Sequence, residues 1–153
     1  MAKAKEIENV PEGRTAEQIH KNEWFKKTVI ELRGYRILQK RIEVIEILLR
    51  KQVGPDAKAV ANYGAHVYGK SNPEEISKLE VELEEKQRRL EAIEKSFEVL
   101  DELEQRIVEL KFKRGYRDRR IYEVELPMSP GTFYEYHNEA VIKMAKCLGY
   151  LEM

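Results

Sequence analysis

The sequence predicts an all-α protein in which long, coiled-coil-like helices precede a C-terminal head of shorter helices. Apolar residues recur at steps of three and four over 25–49 and again over 76–100, which is the spacing of one helix face. The strict alternation of a half-buried strand occurs nowhere in the chain. A chain of 153 residues buries one modest core, so we expect one domain with a helical extension.

The first apolar stripe predicts a long N-terminal helix. Thr15 to Gln18 has the form of a capping box, so we expect the helix to start near residue 16. Gly34 lies within the stripe and costs about 1 kcal/mol relative to alanine, which leaves one bent helix or two shorter helices open. The stripe consists of Phe25, Val29, Leu32, Tyr35, Leu38, Ile42, Ile45 and Leu49.

A second long helix is predicted after a connection over residues 51–72 that is rich in glycine and small residues. Asn72 and Pro73 form a helix start, with acids in the first turn. The apolar steps that follow are typical of a coiled-coil seam, with Lys86 as its one polar member. Another part of the same chain or a second subunit can cover this seam. Its apolar members are Ile76, Leu79, Leu83, Leu90, Ile93, Phe97 and Leu100.

A change of apolar phase after Leu100 predicts a boundary between a stalk and a head. Leu100, Leu103 and Ile107 no longer follow the seam, and Asp101 with Glu104 forms a possible helix start. We therefore expect an N-terminal helical region and stalk over 1–100 and a separate head over 101–153.

The head contains the pattern of three helices with a tight turn between the second and the third. The first ends at Gly115, and the second begins with Asp118 as its cap and stops before Pro127. Ser129 and Pro130 start the third helix. These are the ingredients of a helix-turn-helix. The third helix has an apolar stripe of Phe133, His137 or Tyr136, Ala140, Met144 and Leu148.

The start of the third helix has the residues that reading of DNA requires, because this end of a recognition helix enters the major groove. We predict that Gly131, Thr132, Tyr134, Glu135 and Asn138 face outward and read base edges. Phosphates are expected at a second set of side chains, namely Arg114, Arg117, Arg119, Arg120, Ser129 and Tyr136. The alternative interpretation is that the same residues cap and solvate an ordinary bundle helix.

A set of residues spread over the head forms a pattern that is found in a known family. These residues are Leu103, Arg106, Ile107, Leu110, Phe112, Gly115, Met128, Ser129, Thr132, Phe133, Tyr134, Glu139, Ala140 and Ala145. In them the head resembles region 4 of sigma factors and, more closely, the C-terminal domain of phage-encoded regulators of the ArpU and RinA type. Glu123 and Pro127 depart from that pattern, in which small or turn-forming residues are usual. The resemblance implies a helix-turn-helix that acts on phage promoters, often those of late or packaging genes, in a bacterial host cell.

The distribution of charge favours a polyanion at the ends of the chain. Residues 1–73 carry 14 basic and 9 acidic side chains, residues 74–109 carry 6 and 13, and residues 111–153 carry 8 and 6. The three histidines are isolated from other metal-ligand residues, so we expect no metal, no cofactor and no enzyme activity. Cys147 is the one cysteine, which we expect to be buried, and its solitary occurrence fits a reducing cytoplasm. No apolar run reaches the length of a membrane span.

The sequence therefore favours a cytoplasmic, sequence-specific transcription regulator that binds double-stranded DNA. We expect a homodimer or higher oligomer formed through the coiled coil, and contact with RNA polymerase is a further possibility. Two rival functions stay open. One is a DNA-recognition component of phage packaging, similar to a small terminase subunit, and the other is a helical adaptor that binds another protein.

Overall fold

The computed structural model describes residues 21–53 and 72–153, and every regular element in these two ranges is helical. Two π-helical segments, Glu109–Lys113 and Ile121–Glu125, directly follow the α-helices Glu102–Val108 and Asp118–Arg120. The predicted all-α class is confirmed. None of the described helices is both long and apolar enough to cross a bilayer. The helices are α1 (Glu23–Arg33), α2 (Tyr35–Val53), α3 (Pro73–Phe97), α4 (Glu102–Val108), α5 (Asp118–Arg120) and α6 (Pro130–Leu148).

The first predicted stripe is divided between two helices at Gly34. This residue keeps right-handed torsion angles (φ −79°, ψ −3°), and its N–H still donates to carbonyl oxygens of α1. The interruption is therefore slight, and of the two alternatives that the sequence left open, two shorter helices are present. Helix α1 begins at Glu23 after Asn22, whose backbone is extended. The helix start expected near residue 16 lies outside the described residues.

Helix α3 begins where the sequence predicts. The side-chain oxygen of Asn72 accepts a hydrogen bond from the backbone N–H of Glu74 at 2.9 Å, and Pro73 is the first helical residue. Helix α2 extends to Val53, past the predicted start of the connection at residue 51. The rest of that connection, residues 54–71, lies outside the ranges that the structure describes.

The chain divides into two compact units. In its described part, the first unit contains residues 21–36 and 92–153, and the second contains 37–53 and 72–91. The boundaries fall inside α2 and α3 because these long helices contribute to both units. The first unit is larger than the head predicted over 101–153, since it also contains α1 and the end of α3.

In the second unit, α2 and α3 are linked by an ion pair. The guanidinium of Arg41 donates to both carboxylate oxygens of Glu82, at 2.7 and 2.8 Å. Hydrogen bonding from Arg41, with a further contribution from Lys86, lowers the pKa of Glu82 to about 2. The predicted stripe residues Leu38, Ile42 and Ile45 are buried within the single chain.

The first unit is built around α6, which contacts both α1 and α4. Phe25 of α1 packs against Val141, and Ile107 of α4 packs against Phe133. These contacts explain why α1 belongs to this unit despite its distance in sequence. Glu104 forms the predicted capping box with Asp101 and accepts hydrogen bonds from Lys143 of α6 at 2.8 and 3.1 Å. Its buried carboxylate is therefore fully engaged.

Candidate nucleic-acid interface

The start of α6 is capped and open to the outside. Ser129 is the N-cap residue, and its hydroxyl accepts a hydrogen bond from the N–H of Thr132 at 3.2 Å. Apart from its chain neighbours and the adjacent backbone of α6, no described atom lies within 4 Å of the position that a β-carbon on Gly131 would occupy. A ligand can therefore approach the backbone closely at Gly131, which is the property required of a helix end in the major groove.

Helix α6 presents a narrow exposed face over its first three turns. Phe133 and Ala140 are fully buried, as predicted, and His137 rather than Tyr136 is the inward residue between them. The residues exposed on this face are Gly131, Thr132, Glu135, Tyr136 and Glu139. Glu135 forms no ion pair and no side-chain hydrogen bond within the described residues, so its carboxylate is available to a ligand.

Asn138 does not lie on the exposed face, so the prediction that it faces outward is wrong. Its side chain is 5% exposed, and its carbonyl oxygen lies 2.8 Å from Nδ1 of His137. Residues four apart differ by about 40° around a helix, and this rotation carries Asn138 from the half-buried position of Tyr134 to the interior.

Tyr134 is half-buried and faces α5, which corrects the expectation that it faces outward. Its hydroxyl donates to a carboxylate oxygen of Asp118 at 3.1 Å. Burial raises the pKa of Tyr134 to about 12, with a further contribution from the negative charge of Asp118. Tyr134 therefore fixes the start of α5 against the second turn of α6, and its hydroxyl is already occupied within the chain.

Lys111 is the centre of this polar cluster, which sequence reasoning missed. Its ammonium lies 3.0 Å from Asp118 and 2.7 Å from Nε2 of His137. An ammonium can only donate, so Nε2 accepts and Nδ1 carries the proton that His137 donates to Asn138. The pKa of Lys111 is lowered overall. Burial is the main cause and the positive charge of Arg33 adds to it, whereas Asp118 acts in the opposite direction.

The prediction that Asp118 caps the start of α5 is also wrong. The N-cap position of α5 is occupied by Arg117, which makes no side-chain capping bond, and Asp118 is the first helical residue. The Asp118 carboxylate is turned instead toward Lys111 and Tyr134. A pattern of spacings within one helix cannot reveal such a contact, because its partners lie on two other elements.

The four predicted phosphate-binding arginines are all exposed, but they fall into two pairs. Arg119 donates to Glu123 at 2.6 Å, and Arg120 donates to Glu125 at 3.4 Å while its guanidinium lies over the ring of Tyr116. Arg114 and Arg117 form no ion pair with any described residue. These two are therefore the more available cations.

Gly115 forms a turn that lies in contact with Arg36, a residue of the N-terminal region. Its φ of 75° is left-handed, which favours glycine. Nη1 of Arg36 donates to the carbonyl oxygen of Arg114 at 3.4 Å and lies 2.8 Å from the position of a β-carbon on Gly115. Arg36 was not among the predicted site residues because 78 positions separate it from Arg114.

Two further predictions concern side chains outside the cluster. Tyr136 is exposed, so it remains accessible to a phosphate. Cys147 is exposed as well, which corrects the expectation that it is buried. It lies near the C-terminal end of α6, where the inward positions are taken by Met144, Ala145 and the half-buried Leu148.

Comparison with known proteins adds no further constraint, since no protein-family model, curated protein or solved structure matches this chain.

Proposed function

We propose that the first unit binds double-stranded DNA as a sequence-specific transcription regulator, with α5 and α6 as its helix-turn-helix. The observation that carries this proposal is the open, capped start of α6 beside exposed arginines. Asp118 contacts Tyr134 of α6, and Arg117 and Arg119 are its exposed chain neighbours. Such an arrangement offers phosphate contacts around a helix whose N-terminal end enters the major groove.

Base recognition then belongs to Thr132, Glu135 and Glu139, with close approach at Gly131. Phosphates repel a carboxylate. A glutamate on the exposed face of α6 is therefore stabilised in the groove only where it accepts hydrogen bonds from donors on the bases. The donor amino group of cytosine suits a glutamate acceptor. We therefore expect Glu135 to favour a site that contains cytosine. Tyr134 and Asn138 act indirectly, because they hold α6 in its orientation.

Selection of preferred sequences from random duplexes tests this proposal. The parent should enrich a defined site, and Glu135→Gln should relax the preference at one base pair by about 1–3 kcal/mol. Glu152→Gln, at an exposed position near the C-terminus, is the matched control and should select the parental site. Enrichment of no sequence by the parent would reject sequence-specific binding.

We also propose that the regulator acts as a homodimer or higher oligomer. Within one chain, the seam residues Ile93, Phe97 and Leu100 are already buried, so they are unsuited to contact a second subunit. Helix α2 has a second face of exposed apolar side chains that suits this role, formed by Ile37, Val44, Ile47 and Leu48.

Sedimentation velocity tests this proposal. Ile37→Lys combined with Val44→Lys should reduce the mass to that of a monomer, and Lys40→Ala is the control because its exposed side chain lies between these positions on α2. An equal mass for the parent and the double variant would reject the α2 face as the contact. A ring of many subunits would favour the packaging role over promoter control.

A further inference from the structure

Four exposed arginines lie on the two segments that meet beside the Gly115 turn and are here called the arginine corner: Arg33, Arg36, Arg114 and Arg117. Arg36 donates to the Arg114 carbonyl oxygen at 3.4 Å, and α1, which ends at Arg33, contacts the π-helical segment before the turn. Arg117 follows Arg114 by three residues. The corner thus combines two segments that are far apart in sequence.

The arginine corner has no counter-charge within the described residues. None of its four guanidinium groups lies within ion-pair distance of a described carboxylate. Three acidic groups of this unit are engaged elsewhere: Asp118 with Lys111 and Tyr134, Glu94 with the Tyr35 hydroxyl, and Glu31 with the Tyr150 hydroxyl. Gathered cations that form no ion pair create a local positive potential that attracts an anion.

We propose that the arginine corner binds backbone phosphates of duplex DNA beside the stretch that α6 reads. The guanidinium is planar and matches a phosphate with two parallel hydrogen bonds. This inference rests on the proposed function, and it extends the DNA contact from the predicted helix-turn-helix to residues 33 and 36 of the N-terminal region. Arg119 and Arg120, which have intramolecular glutamate partners, contribute less than the corner does.

The salt dependence of duplex binding tests this inference on the full chain. Arg33→Ala combined with Arg36→Ala should reduce the slope of log affinity against log salt by up to about 2, because each lost phosphate contact removes nearly one unit. Sequence preference should be unchanged, since phosphate contacts carry no base information. Arg33→Lys combined with Arg36→Lys should restore most of the slope, because lysine also neutralises phosphate.

The matched control is Arg50→Ala combined with Arg89→Ala, which removes the same charge from two exposed arginines of the second unit. A parental slope in the Arg33 and Arg36 variant, or an equal loss in the control, would overturn the inference. Inorganic polyphosphate serves as a second probe. If the parent binds no duplex, the proposed function fails. In that case the corner is a phosphate site only if the Arg33 and Arg36 variant loses binding of polyphosphate while the parent and the control variant keep it.

Discussion

At the scale of the residue, Asn138 shows how one rotation about a helix changes a role. Because its carbonyl oxygen faces Nδ1 of the buried His137, Asn138→Ala removes a hydrogen-bond acceptor from the interior. We expect a loss of about 1–3 kcal/mol in the free energy of unfolding. Urea denaturation measures this loss. Glu135→Ala, on the exposed face of the same helix, should stay within about 0.5 kcal/mol of the parent, and equal midpoints for both variants would contradict the buried position of Asn138.

Gly115 is a second residue at which a single methyl group has a predictable effect. Its φ of 75° disfavours any residue with a β-carbon, and that carbon would lie 2.8 Å from Nη1 of Arg36. The arginine side chain can move away, whereas the backbone strain remains. We expect Gly115→Ala to reduce the free energy of unfolding by about 1–2 kcal/mol.

Thermal or urea unfolding checks the Gly115 prediction. Gly131→Ala is the matched control: Gly131 is an early helical residue of α6 with right-handed geometry and open space around its β-carbon position. It should be neutral or slightly stabilising. A Gly115→Ala variant that is as stable as Gly131→Ala would contradict the strain argument.

At the scale of the element, the sequence predicted the helices that local signals define. The start of α3 at Pro73, the capping box at Asp101 and the start of α6 at Pro130 are each encoded within four residues. The interior polar cluster was not predictable in the same way. Lys111, Asp118 and His137 lie on three different elements, and only their packing brings them together. Exposed Thr132 and Glu135 were predicted because helix periodicity alone separates them from Phe133.

Helix α3 allows a direct test of its buried stripe. Ile93 is fully buried and Val81, three turns earlier on the same helix, is 59% exposed. Ile93→Lys places an unpaired ammonium in the interior, which costs several kcal/mol, so we expect loss of cooperative unfolding or a large fall in the midpoint. Val81→Lys is the control and should leave helicity and midpoint nearly unchanged. Circular dichroism measures both, and similar effects of the two variants would contradict the assigned faces.

At the scale of the whole molecule, each compact unit contains a carboxylate whose ionised form is stabilised. In the second unit, hydrogen bonds from Arg41 lower the pKa of Glu82 to about 2. In the first unit, burial alone raises the pKa of Asp118, but the charge of Lys111 and the hydrogen bonds from Lys111 and Tyr134 outweigh it and hold that pKa below its usual value. In each unit, the folded state therefore favours the ionised form of one acid.

This dependence predicts acid sensitivity of the whole chain. A carboxylate with a lowered pKa in the folded state adds stability above its unfolded pKa, about 4 for these groups, and that stability is lost as pH falls through the folded pKa. We expect the melting temperature to fall as the pH is lowered from 4.5 to about 2, because both carboxylates become protonated in this range.

Glu82→Gln and Asp118→Asn should each lower stability at pH 7 and reduce the acid dependence. Glu80→Gln, at an exposed position on α3 that forms no ion pair with any described residue, should reproduce the parental pH profile. Calorimetry across this range measures the profiles, and an unchanged acid slope in Glu82→Gln or Asp118→Asn would show that the altered carboxylate does not contribute to folding through its charge.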